Sequence, residues 1–165
     1  MLRQWGHGGG VLDVGAFDAN GNIRDLFERT PGADGAINQR YAYLGLDMRP
    51  GPNVDIIANA HALPFPDETF DLVCCCATLE HDDMPWLSAV EMARVLREGG
   101  MLALSVPGFG FPRHEHPDDF WRFSTTAVAQ LFPNRDFQIE DLEESAEDGF
   151  PRVFYVGRKQ HREGR

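Results

Sequence analysis

The chain has 165 residues, 42% hydrophobic and 25% charged, which suits one domain, residues 1–165, around a single packed core. Fifteen Lys and Arg stand against 26 Asp and Glu, a net charge of −11 that repels polyphosphates and argues against a nucleic-acid partner. No run approaches the ~20 apolar residues of a membrane span, and residues 1–10 hold no apolar signal segment, so the expectation is a cytoplasmic protein with no membrane partner.

After that short lead, Val11 to Val14 reads as an apolar strand ending at Gly15 and a loop, Ala16 to Asn22. A helix follows, with Ile23, Leu26 and Phe27 at helical spacing, and Pro31-Gly32 ends it ahead of a polar loop to Gln39. Tyr41 to Leu46 is a second strand closing on Asp47, and Val54 to Ala58 a short third. Phe70 to Cys75 is an unbroken apolar run once Asp71 is passed, the pattern of a parallel strand covered on both faces. Its three consecutive cysteines, Cys74 to Cys76, cannot pair with each other and form no C-x-x-C, so buried reduced thiols are expected. Pro85 suits the first turn of a helix whose apolar face would be Trp86, Val90, Ala93 and Leu96, with Gly99-Gly100 as its stop. Met101 to Val106 is a fifth strand, ended by Pro107. Ser124 is an N-cap for a short helix carrying Val128, Leu131 and Phe132. Phe137 to Leu142 and Val153 to Gly157 are two closing strands, joined by an acidic connection, 143–151, and followed by a basic, solvated tail, 158–165. This order predicts an α/β fold, doubly wound, with a mostly parallel seven-stranded sheet, one antiparallel strand and helices on both faces.

In such sheets ligands sit beyond the carboxyl ends of the strands, where the strand order reverses. After the first strand, Gly15 and Gly21 allow close backbone approach, and the Asp18-Ala19-Asn20-Gly21 run brings amide donors to a helix N-terminus, a setting for an anionic group. The dinucleotide pattern G-x-G-x-x-G is missing, because Phe17 and Asp18 stand where its second glycine and neighbour would fall. That argues against a nicotinamide or flavin reductase or epimerase. Asp47 can accept both hydroxyls of a ribose, and Asn59 with the Ala60 amide can recognise adenine. Singly, these read equally as a tight turn, a solvated acid and a turn residue; together, in order on successive strand ends, they point to an adenosine-containing cofactor.

Four stretches resemble the class I methyltransferases, in particular the methyltransferase type 11 domain: VLDVGAFDANG from Val11 to Gly21, LPFPDETFDLV from Leu63 to Val73, LEH from Leu79 to His81, and ARVLREGGMLALSVP from Ala93 to Pro107. The resemblance implies a Rossmann-like fold, S-adenosyl-L-methionine as cofactor, and methyl transfer to an oxygen or nitrogen of a small-molecule acceptor. It places Asp13, Gly15, Ala16, Phe17, Asn20 and Gly21 around the methionine end, and Asp47, Met48 and Arg49 at the ribose and adenine. Asn59, Ala60 and His61 would face the base, and Cys75 and Cys76 would contribute backbone. Two departures stand out: Gly15-Ala16-Phe17-Asp18-Ala19 replaces the usual G-x-G-x-G, and Asn59 replaces a usual Asp. The helical N-terminal lid common in the family is expected to be reduced, or replaced by a second copy or a partner subunit. A non-catalytic, cofactor-binding subunit is the competing reading.

The segment from His114 to Phe123 resembles an H-P-x-D-Y-W-R-F stretch of the same subgroup and follows the fifth strand, on the acceptor side of the fold. Trp121 and Arg122 are its candidate acceptor contacts, with the alternative that they anchor the scaffold. Glu80, His81, His114 and His116 are the candidate catalytic groups, able to take a proton from an acceptor hydroxyl or amine. His114 and His116 with Asp118 and Asp119, and His81 nearby, are metal-ligand types, but no metal is expected, since no H-E-x-x-H is present.

Overall fold

A computed structural model describes residues 9–17, 23–28, 41–114, 118–146 and 149–161. Seven strands form one sheet: β1 (Gly10–Val14), β2 (Ala42–Asp47), β3 (Ile56–Ile57), β4 (Phe70–Cys76), β5 (Leu96–Pro107), β6 (Phe137–Ser145) and β7 (Arg152–Lys159). Their order across the sheet is β3-β2-β1-β4-β5-β7-β6. The first five pair in parallel, and β7 runs antiparallel to both β5 and β6, so it is the single reversed strand. The order reverses between β1 and β4, which places the switch point where Gly15 leaves the sheet.

Side-chain alternation assigns the two faces. Leu12, Val14, Val73, Cys75, Leu102 and Leu104 lie in the larger core, covered by α2 (Pro85–Val95) and α3 (Thr125–Leu131). Val11, Tyr43 and Cys74 form the opposite face, with Ile23 and, from α1 (Arg24–Glu28), Phe27 packed on it. Helices therefore cover both faces. All five residues of β1 are buried, as a central parallel strand requires. The Ser124 hydroxyl accepts from the Ala127 amide at 3.1 Å, the expected N-cap of α3.

Three expectations are corrected. The buried stripe of α2 is Pro85, Ser88, Ala89, Met92 and Val95, while Trp86 and Val90 are 50% and 65% exposed. Both stripes have helical spacing, and the buried Ser88 hydroxyl, donating to Asp82 at 2.5 Å, fixes the rotation. Trp86 and Val90 instead line a groove with Leu131 and Arg135, near Phe137 and Lys159 at the opposite end of the strands from the switch-point loops. Secondly, α2 stops at Val95, before Gly99-Gly100, because Leu96 is already paired with Phe70 and its carbonyl accepts from Lys159 Nζ at 2.5 Å. Thirdly, Glu143 to Ser145 belong to β6, so the acidic connection shrinks to 146–151. The expected helix stop at Pro31-Gly32, the loop to Gln39 and most of the basic tail lie outside the described residues.

Candidate cofactor and active site

At the switch point the backbone turns sharply. Gly15 has φ +82°, and the Gly15 and Ala16 amides both donate to the Leu46 carbonyl, at 2.8 and 3.0 Å. A Cβ on Gly15 would lie 2.0 Å from the Thr78 hydroxyl oxygen, so the glycine is required by contact with the end of β4 as well as by its left-handed backbone. The loop is thus pinned on two sides by neighbouring strands.

Asp47 closes β2 and joins this loop to the next. Its Oδ2 accepts from the Phe17 amide at 3.2 Å and its Oδ1 from the Arg49 amide at 3.0 Å. A carboxylate offers about four lone-pair sites, so each oxygen keeps one for a further donor. Phe17 packs over Gly51, where an added Cβ would come within 2.2 Å of the ring, and the Arg49 guanidinium lies 4.8 Å from its centroid. Met48 is 68% exposed beside them. After β3, the Asn59 side-chain oxygen accepts from the His61 amide at 2.8 Å, and among the described residues the Ala60 amide has no partner. His61 Nε2 lies 2.6 Å from Asp82 Oδ1, tying this loop to the start of α2. Asn20 and Gly21 lie outside the described residues.

Asp13 sits deeper. It is 6% exposed, accepts from the Tyr43 hydroxyl, and burial pushes its carboxyl up to about 6. Cys74 and Cys75 are buried and Cys76 half-buried, and burial raises all three thiols above their ordinary value.

Beyond β4, a turn of 3-10 helix, Leu79–His81, presents the ionisable groups. The Glu80 side chain is 1% exposed, and neither of its oxygens has a hydrogen-bond partner among the described residues. Burial raises its carboxyl above the ordinary value. His81 Nε2 stands 3.8 Å and His114 Nε2 3.5 Å from Glu80 Oε1, and the two rings meet edge to face at 4.9 Å. These two histidines are 33 positions apart in the chain, and only the fold brings them together. His116 lies outside the described residues.

Arg122 and Trp121 are held by the scaffold. Arg122 donates to both oxygens of Asp119 and to the carbonyls of Phe111, Pro112 and Trp121, which occupies all five of its N–H groups. The Asp119 side chain is 1% exposed, and Arg122 holds its carboxyl well below the usual range. The Trp121 indole N–H donates to the Asp82 carbonyl at 2.7 Å, leaving a ring that is 38% exposed. The Phe120 amide donates to the Glu80 carbonyl at 2.7 Å, so the segment is fastened onto the turn that carries Glu80.

A second clamp explains the LPFPDETFDLV and ARVLREGG stretches. Arg94 donates to both oxygens of Glu91, to the carbonyls of Leu63 and Phe65, and to Asp67, while Glu91 accepts from the Leu63 amide. The apolar pattern sets Glu91 and Arg94 only away from the hydrophobic face; the structure makes them the latch between the β3–β4 connection and α2.

Residues 32–104 match the family model described as a methyltransferase domain. Over that stretch the chain is similar to methyltransferases. The cofactor of that family is S-adenosylmethionine. The chain is 36% identical over 105 residues to a ubiquinone/menaquinone biosynthesis C-methyltransferase of Hahella chejuensis, covering 58% of this chain and 41% of that protein. The chain thus spans less than half the length of that curated relative. Among solved structures it is similar to 1,6-didemethyltoxoflavin-N1-methyltransferase of Burkholderia thailandensis, whose crystal structure holds S-adenosylhomocysteine, with TM-score 0.71, 19% identity, and coverage of 94% of this chain and 72% of that one. It is also similar to the cyclase SpnF, with TM-score 0.69, 16% identity, and coverage of 93% and 76%. A cyclase and a methyltransferase share this fold, so the reaction is set by the site and not by the fold alone. Among the described residues, no helix is long and apolar enough to cross a membrane.

Proposed function

We propose that the chain binds S-adenosylmethionine at the carboxyl ends of β1, β2 and β3 and transfers its methyl group to an oxygen or nitrogen of a small-molecule acceptor. The observation that carries this reading is Asp47: each carboxylate oxygen accepts one backbone amide and keeps a site for one ribose hydroxyl. The Ala60 amide and the exposed Met48 side chain are the matching features for an adenine ring. Gly15, Ala16 and Phe17, with Asn20 and Gly21, would hold the methionine end, Asp13 beneath them, and Cys75 and Cys76 would border the site with backbone.

The bound cofactor supplies a sulfonium methyl whose leaving thioether is neutral, so no Lewis acid is required to expel it. The protein's work is to hold the acceptor in line and to take its proton. Glu80, His81 and His114, with His116 beside them in sequence, would be the groups to take that proton. The exposed ring of Trp121 is an apolar surface for the acceptor, and Arg122 acts through Asp119 by holding that surface in place.

Amide hydrogen exchange tests the assignment. Saturating S-adenosylhomocysteine should slow exchange in the segments that hold Phe17, Met48, Arg49 and Ala60, and NAD at the same concentration should not. Equal protection by both compounds, or none by either, contradicts it. Binding without methyl transfer to any of a panel of hydroxyl and amine acceptors would favour the non-catalytic subunit.

A further inference from the structure

Glu80, His81 and His114 form a cluster whose ligand atoms all lie within 4.8 Å of one another. A buried carboxylate with two unpartnered oxygens is costly to leave as it is. Each imidazole is also oriented. His81 Nδ1 lies within hydrogen-bonding distance of the Asp118 carbonyl, and His114 Nδ1 is 3.3 Å from the Pro112 carbonyl and 3.6 Å from Asp119 Oδ2. A carbonyl only accepts, so the proton sits on Nδ1 in both rings, and each turns a basic Nε2 toward Glu80. That is how outer oxygens orient metal-ligating histidines.

We propose that Glu80 Oε1, His81 Nε2 and His114 Nε2 bind one divalent transition-metal ion of the zinc type. The present Nε2-to-Oε1 distances are 3.5 and 3.8 Å. Metal–ligand bonds of ~2.1 Å give neighbouring ligands ~3.0–3.4 Å apart, so the two contacts to Glu80 need to close by only a few tenths of an ångström, and the two imidazoles, whose ligand atoms lie within 4.8 Å, by up to about 1.5 Å. Two imidazoles and one carboxylate select zinc-like ions over magnesium or calcium, and three protein ligands leave a position open for water or for an acceptor oxygen. The carboxylate, unpartnered in a dry setting, becomes the anionic ligand that offsets one of the cation's two charges.

His61, Asp82 and Asp83 are also close together. There, however, Asp82 Oδ1 is taken by His61 Nε2 at 2.6 Å and the Met84 amide at 2.9 Å, and Oδ2 by the Ser88 hydroxyl at 2.5 Å. That carboxylate is satisfied by protein and braces the turn that leads into α2. The ion takes the same three side chains that the proposed function offers for the acceptor's proton, so the two are alternative roles for the cluster, and ion binding is read without any methyl transfer.

The test is titration of the chelator-stripped protein with Zn²⁺ by calorimetry and with Co²⁺ by visible absorption. One equivalent should bind, with d–d bands of a low-coordinate nitrogen and oxygen site. Glu80→Gln, His81→Gln and His114→Gln should each weaken binding about a hundredfold or more, and His61→Gln should leave it unchanged. Chemical-shift mapping of the histidine Nε2 atoms in the unmutated protein gives the same answer without relying on any variant's folding. No stoichiometric binding to the unmutated protein overturns the site. So does binding that survives His114→Gln and is lost in His61→Gln, or cobalt that moves the His61 resonance and not those of His81 and His114.

Discussion

Asp13 shows how a single buried acid sets both shape and pH response. Its carboxyl lies at the centre of the sheet against Tyr43, and desolvation pushes it up to about 6 from 3.8. The folded state therefore holds the proton more tightly than the unfolded chain. Its contribution disfavours folding increasingly as pH rises from about 4 through 6, to a limit of about 3 kcal/mol. Asp13→Asn keeps an acceptor for Tyr43 and removes the ionisation. Its melting temperature should exceed that of the unmutated protein at pH 7, and the two should converge near pH 4. A variant less stable at pH 7, by denaturant unfolding, would mean that the ionised carboxylate has a favourable partner in the fold. The position of Asp13 before Gly15 was legible in the sequence; its burial against Tyr43 was not, because that contact spans 30 residues.

At the scale of elements, the segment after β5 is a scaffold clamp with an aromatic surface. All five Arg122 donors are engaged, and the partner Asp119 is buried. Arg122→Ala leaves that carboxylate unpaired and should cost about 3–5 kcal/mol, read from chemical denaturation. An unchanged midpoint with lost methyl transfer would return Arg122 to the acceptor site. In the intact protein the depressed Asp119 carboxyl contributes stability above about pH 4 that is lost as pH falls below its ordinary value. The central strand gives a second test at this scale. Cys74 and Cys75 are buried in β4 and their thiols raised by desolvation, so native-state labelling of both should be slow and should quicken only on unfolding. Rapid labelling of all three cysteines in the folded protein would contradict the place of β4 in the sheet. Strands with unbroken apolar runs were legible because burial on both faces leaves no other pattern. The face of α2 was not, since two apolar stripes compete and the choice rests on Asp82 and Ser88, which carry no apolar signal.

For the whole molecule, the order of the strands decides which loops meet. The reversal between β1 and β4 brings Gly15, Asp47 and Thr78 to one edge; Gly15 and Asp47 were visible in the chain before the sheet order was known, and the packing of Thr78 against Gly15 was not. The approach of His81 to His114 could be raised from the sequence but not decided there, because it depends on how the segment after β5 folds back onto the turn after β4. The proposed seat of S-adenosylmethionine at this edge, with Asp47 on its ribose, is tested most directly by calorimetry with S-adenosylhomocysteine on the unmutated protein and Asp47→Ala. Expected are saturable binding at one site to the unmutated protein, no binding of NAD, and a loss of about 1.5–3 kcal/mol in the variant, roughly 10- to 150-fold in affinity. Equal affinity of the two proteins for S-adenosylhomocysteine, or tighter binding of NAD by the unmutated protein, would contradict it.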